Sequence, residues 1–105
     1  MRIILSDARN DNNVVEFKIE VTDRSYILIP YIHDDSFSHI LDDLSFVKTK
    51  WMTYYLNYMT YDEVTKEPEE MLKGIVDDIL ELLEHEVIFQ RLICDGTYKI
   101  TCSEM

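Results

Sequence analysis

Residues 68–86 read PEEMLKGIVDDILELLEHE, and the fold turns on how that stretch behaves. At about 100° per residue, Leu72, Ile75, Val76, Ile79, Leu82 and Leu83 share one side of a helix. Glu70, Lys73, Asp77, Glu81 and Glu84 share the opposite side. Pro68 suits a first helical position, where its missing N–H costs nothing, and Glu69 and Glu70 then stand at the positive end of the helix dipole. No glycine follows Glu86 directly, so the end is set where Val87, Ile88 and Phe89 bring in β-branched and aromatic residues. Nineteen residues at 1.5 Å per residue span roughly 28 Å, enough to cross a small domain. The apolar side is therefore the expected main contributor to the core.

The chain has 105 residues, 47% of them hydrophobic, which fits a single domain over residues 1–105 with a modest core. Ten Lys and Arg stand against 21 Asp and Glu, giving a net charge of −11. Disordered chains also carry such charge, but Trp51, seven tyrosines and four phenylalanines supply more apolar area than disorder tolerates. A folded, strongly anionic domain repels nucleic acid and anionic membranes and attracts basic partners at long range. No apolar run reaches the roughly 18 residues of a membrane span, and Met1 to Leu5 is too short for the core of a signal peptide. A cytoplasmic location is the expectation. Cys94 and Cys102 lack CxxC spacing and further partners, so reduced thiols are expected in place of a disulfide or zinc site.

From the N-terminus, Ile3 to Leu5 reads as a short strand ended by the polar run Asp7 to Asn13. Val15, Phe17, Ile19 and Val21 then alternate with Glu16, Lys18 and Glu20, the pattern of a strand with one wet face. Thr22-Asp23-Arg24 is a connection, and Tyr26 to Ile29 returns as a third strand with Pro30 limiting its ladder. Asp34-Asp35-Ser36 offers capping oxygens to a helix carrying Phe37, Ile40, Leu41 and Leu44. Val47, Trp51, Tyr54, Tyr55 and Tyr58 continue at helical spacing, so Phe46 to Met59 is assigned to helix, with Ser45 to Lys48 a place for a break. Their strand propensity leaves an extended alternative open. Thr60 to Glu63 has the form of a capping box. Val87 to Ile93 and Thr97 to Cys102 flank Asp95-Gly96, a turn signal that predicts a C-terminal β-hairpin. The expected fold is α+β: an N-terminal three-stranded antiparallel meander, central helices and a C-terminal hairpin.

Three clusters carry whatever chemistry the chain has. Asp77, Asp78, Glu81, Glu84 and His85 are close in sequence, but Glu81 and His85 are four apart, whereas carboxylate di-metal bundles use E-x-x-H. No H-E-x-x-H, G-x-S-x-G or glycine-rich phosphate loop occurs, so no catalytic residue, metal or cofactor is assigned. Phe46, Trp51, Tyr54, Tyr55, Tyr58 and Tyr61 form an aromatic run with more rings than one buried stripe needs. Trp51 and Tyr55 are candidate interface anchors, with core packing the alternative. Between Asp62 and Glu86 ten carboxylates face only Lys66 and Lys73, and Asp34 to Asp43 adds four more acids.

Along a helix axis Glu70, Asp77, Glu81 and Glu84 are separated by roughly 10, 6 and 4.5 Å. Phosphates recur every ~3.4 Å along one nucleic-acid strand, a spacing of the same order. The function expected from these features is that of a small acidic, non-enzymatic inhibitor. Its partner is a basic nuclease or nucleic-acid-binding enzyme, engaged in the manner of nucleic-acid mimics such as anti-CRISPR, anti-restriction or immunity proteins. The partner-binding residues are then Glu70, Asp77, Glu81, Glu84, Asp42, Asp43, Trp51 and Tyr55, with no direct nucleic-acid or membrane contact. The alternatives are an adaptor for a partner that is not basic, and a metal-binding enzyme built on the Asp77 to His85 cluster.

Overall fold

The computed structural model describes residues 1–21, 26–60, 68–94 and 96–104, and for 52–60, 68 and 92–94 it describes the backbone. Strands β1 (Arg2–Asp7), β2 (Asn12–Val21) and β3 (Tyr26–Ile32) come first. Helices α1 (Ile40–Thr60) and α2 (Pro68–Cys94) follow, and β4 (Tyr98–Ser103) closes the chain. The sheet is antiparallel with strand order β3-β2-β1-β4. The fold is α+β, with strands at both ends of the chain and helices between them.

The meander forms as its alternation requires. Val15, Phe17 and Ile19 are fully buried, whereas Lys18 and Glu20 are exposed; Glu16, expected on the wet face, is buried, its carboxylate accepting from Arg2 and Asn13 at 2.9 Å each. Between Leu5↔Val15 and Ser6↔Asn13 the register shifts by one, leaving Val14 as the extra residue of a bulge. The Val14 carbonyl accepts from the His33 amide at 2.9 Å and the Asp34 amide at 3.2 Å, fixing where β3 leaves the sheet. Pro30 stands opposite Phe17 in β3, an edge strand, where a missing N–H is tolerated. In the β1–β2 turn the Arg9 guanidinium and amide bond the Asp7 carboxylate at 2.8–3.0 Å, which holds the Asp7 pKa below its usual 3.8.

The predicted helix through Phe46 to Met59 is present and runs without a break at Ser45 to Lys48. A short 3-10 turn, Asp35–Phe37, precedes it, with the Asp34 carboxylate accepting from the Ser36 amide as the capping oxygen. The C-terminal hairpin is not formed. Val87 to Ile93 belongs to α2, which continues to Cys94, and β4 pairs with β1 in place of a hairpin partner. In the sequence the apolar period breaks at Glu86, because two of the next inward positions are polar. Glu86 and Gln90 lie in register with Ile79 and Leu83, and both are buried. Glu86 takes a 2.7 Å bond from His39 Nε2, and Gln90 Nε2 reaches the Ser36 carbonyl at 3.4 Å. With those partners the helix continues at little cost. Cys94 is accordingly the last residue of a helix and not a strand residue. The Thr22 to Arg24 connection and the capping box from Tyr61 onward lie outside the described residues.

Both helices contribute to one core on one side of the sheet. Ile3, Leu5, Phe17 and Ile19 meet Phe37, Ile40, Leu44 and Trp51 of the α1 arm, and Met71, Ile75, Ile79 and Leu83 of α2. Each such side chain contributes about 1.5–3 kcal/mol by leaving water. Gly74 sets the approach of the helices: a Cβ there would stand 2.6 Å from Trp51 Cζ2, so only glycine admits the indole. The Tyr26 hydroxyl donates to the Lys48 carbonyl at 2.8 Å, tying β3 to α1, and partial burial raises the Tyr26 pKa. No described helix covers the other face of the sheet.

Candidate functional site

The outer side of α2 carries the predicted carboxylates in the predicted arrangement. Glu70, Asp77, Glu81 and Glu84 are all exposed along one line of the helix, and among the described residues none of the ion pairs uses any of the four. Exposed Ile88, four residues past Glu84, prolongs that line with an apolar side chain. Asp42 and Asp43 are exposed in the first turn of α1.

Between α1 and α2 an open groove of about 470 Å³ is lined by Asp43, Phe46, Val47, Lys50, Asp78, Glu81, Leu82, His85 and Glu86. Its floor is Val47 and Leu82, both half-buried. Phe46 stands at the lip with 77% of its surface in water. Asp78 is engaged from below, accepting from Trp51 Nε1 at 2.8 Å and from Lys50 Nζ at 3.0 Å. Glu86 is held by His39. Asp43 and Glu81 have no ion-pair partner among the described residues and give the groove its free negative charge.

The predicted residues are therefore divided. Glu81 and Asp43 meet at the groove, Glu70, Asp77 and Glu84 extend from it along α2, and Asp42 lies beside it on α1. Trp51 is 2% exposed, so it is core and not a surface anchor. Its position follows Ile40, Leu44 and Val47 down the buried line of α1, and its one polar atom is satisfied by Asp78. The Tyr55 side chain, like those of Tyr54, Tyr58 and Tyr61, lies outside the described residues. Phe46 is the exposed aromatic that the sequence did not single out as an anchor. The signal was available, since at about 100° per residue Phe46 sits roughly 140° from the Ile40, Leu44 and Trp51 line.

Chemically the arrangement is a cation-receiving surface with an apolar floor. The aliphatic stem of a Lys or Arg can lie on Phe46, Val47 and Leu82 while its charge meets Asp43 or Glu81. Among the described residues no group of three or more His, Cys, Asp and Glu is placed to hold a metal ion. Among them too, no helix is long and apolar enough to cross a membrane. No protein-family model, curated protein or solved structure matches the chain.

Proposed function

We propose that this chain is a small acidic binding protein that inhibits a basic nuclease or nucleic-acid-binding enzyme by occupying its nucleic-acid groove. The observation that carries this reading is the line of four exposed carboxylates on α2 that enter no ion pair among the described residues. Lys73 is the one basic residue on that side, so the four acids outnumber it where an ordinary surface intersperses both signs. Carboxylates fixed to a helix are already ordered, so less side-chain and backbone freedom is lost when they meet a row of Lys and Arg. The partner's cations, normally neutralising phosphates, meet Glu70, Asp77, Glu81 and Glu84 along about 21 Å of axis. Phe46 beside them supplies the desolvated apolar contact that charge alone lacks, and so governs dissociation.

Capture with competition tests this. The immobilised chain is used to draw proteins from lysate of its natural setting at low salt, and bound protein is challenged with duplex DNA and with RNA. Displacement by nucleic acid, together with loss of the captured enzyme's nucleic-acid activity in the complex, supports mimicry. A captured protein that binds nucleic acid and this chain at the same time contradicts it. The exposed apolar side chains Phe46, Ile88 and Phe89 favour one second reading, an adaptor for a partner without a basic surface. Capture that withstands high salt and fails with Phe46→Ala would select that reading.

A further inference from the structure

We infer that the groove between α1 and α2 seats one arginine side chain of the partner, held between Asp43 and Glu81. The partner's place in this inference rests on the inhibitor reading, whereas the seat rests on three features of the groove itself. First, the two helices are joined across the groove by a short ladder of cation–carboxylate pairs. At one end Nε2 of His39, the residue before α1, lies 2.7 Å from the Glu86 carboxylate, and at the other Lys50 Nζ lies 3.0 Å from the Asp78 carboxylate. In both rungs the α1 side supplies the cation and α2 the acid. The rung between them departs from this. Residue 43 stands four places after His39 and seven before Lys50, on one line of the helix. It is an aspartate, and α2 sets Glu81 in the same groove. Neither acid enters an ion pair among the described residues. Lys50 is the only Lys or Arg among the described lining residues, and His85 beside it forms no ion pair among them.

Second, the chain shows how this groove treats a cation. The Lys50 ammonium is held by the Asp78 carboxylate and lies 5.2 Å from the centre of the Trp51 ring. One turn earlier Phe46 offers another ring, 77% of its surface in water, three residues from Asp43 on the same helix. Val47 and Leu82 lie beneath as a half-buried apolar floor. Carboxylate and ring therefore recur at the middle rung, where the cation has to come from another molecule.

Third, geometry selects arginine over lysine. Asp43 and Glu81 stand on different helices, and packed helices have axes about 8–10 Å apart. A guanidinium is planar, carries five N–H donors in a rigid fork, and can meet a carboxylate on each side while its face lies on Phe46. An ammonium is a compact, strongly hydrated point charge and satisfies one of the two acids at a time. The three-carbon stem of the arginine lies on Val47 and Leu82, as such stems do on apolar surface.

NMR titration of the full, isotope-labelled chain tests this, with capped Gly-Arg-Gly, Gly-Lys-Gly and Gly-citrulline-Gly peptides as probes. The arginine peptide should shift the Phe46 ring and the Val47 and Leu82 methyl signals saturably, with the millimolar dissociation expected of one side chain. The lysine peptide should bind about 3- to 10-fold more weakly, and the uncharged citrulline peptide should give no saturable shift. Asp43→Asn with Glu81→Gln should weaken arginine binding at least about 10-fold, and Phe46→Ala about 3-fold. Asp43→Lys, which places a cation of the chain itself at the middle rung, should abolish it. All three side chains are exposed, so the variants keep the fold. No saturable shift in the groove up to about 50 mM overturns the inference. So do equal affinities for the arginine and lysine peptides, or a response that survives the Asp43 and Glu81 substitutions. Failure here and failure of the inhibitor reading are separable. Arginine binding along Glu70, Asp77 and Glu84 with an unchanged groove overturns the seat and leaves the acidic line of α2 in force. Groove binding by a chain that captures no nucleic-acid enzyme upholds the seat and removes the inhibitor reading.

Discussion

Replacing Gly74 by alanine sets two effects of opposite sign against each other. In an exposed helix the change is stabilising by about 0.8–1 kcal/mol, because alanine loses less backbone freedom. In this fold the new methyl would lie 2.6 Å from Trp51 Cζ2, against the roughly 3.5–4.0 Å that carbon atoms prefer. The indole has nowhere to go. It is 2% exposed, its Nε1 is fixed to Asp78 at 2.8 Å, and the Lys50 ammonium lies 5.2 Å from its ring centre. Forcing an extra carbon into such a site costs about 1–3 kcal/mol. Losing the bond to the Asp78 carboxylate would add about 1.5–3 kcal/mol. The net expectation is a loss of up to about 2 kcal/mol if the bond survives and of about 1.5–5 kcal/mol if it breaks, which at this chain length lowers the melting temperature by about 4–8 °C per kcal/mol. Urea unfolding followed by far-UV circular dichroism measures it, with the same substitution repeated in a Trp51→Phe background. There the colliding atoms are gone, and Gly74→Ala should be neutral or stabilising. If Gly74→Ala instead stabilises the wild-type chain by about 1 kcal/mol, helix propensity alone is acting and the close contact of α1 with α2 does not exist.

Three further outcomes are expected. Because the Arg9 bonds lower the Asp7 pKa, their stabilisation is present above the usual 3.8 and lost as pH falls through the lower folded value. Arg9→Ala should therefore destabilise at neutral pH by an amount that vanishes on strong acidification, and a pH-independent difference in urea midpoint would refute the linkage. His39→Ala leaves the buried Glu86 carboxylate without its 2.7 Å partner and should cost about 1–3 kcal/mol in urea unfolding. Adding Glu86→Leu should recover most of that loss, and failure to recover would mean His39 acts through packing. Exhaustive chelation should leave thermal unfolding unchanged within about 0.5 kcal/mol, and a larger drop would reveal a structural metal.

What could be read from the sequence depended on whether burial and polarity agreed. In the first half of α2, and in β2 apart from Glu16, they agree, and the period gave strand, helix and solvent face together, down to the four exposed carboxylates; Glu16 is buried because Arg2 and Asn13 satisfy its carboxylate. In the second half of α2 they part. Glu86 and Gln90 occupy inward positions because His39 and the Ser36 carbonyl, about fifty residues earlier in the chain, satisfy them. No local pattern can announce such partners, and the strand-like Val87, Ile88 and Phe89 then outweighed a helix that tertiary contacts sustain. Asp95-Gly96, read as a hairpin turn, separates a helix from a strand, and β4 finds β1 at the far end of the chain. The same limit applies at the groove. Trp51 and Phe46 are large aromatics five residues apart on one helix; the period separates Phe46 from the Ile40, Leu44 and Trp51 line, but that this line is the one α2 covers follows from the packing.

The measurement that bears most directly on the acidic face is the salt dependence of association with the captured partner. It compares wild type with the variant carrying Glu70→Gln, Asp77→Asn, Glu81→Gln and Glu84→Gln. All four side chains are exposed, so circular dichroism and melting should match wild type. Association at low salt should slow by about 10- to 100-fold, and its decline with rising ionic strength should flatten, since steering by these charges is screened over about 8–10 Å. Equal association rates and equal salt slopes for the two proteins would contradict recognition through α2 and reduce its carboxylates to a solubilising surface.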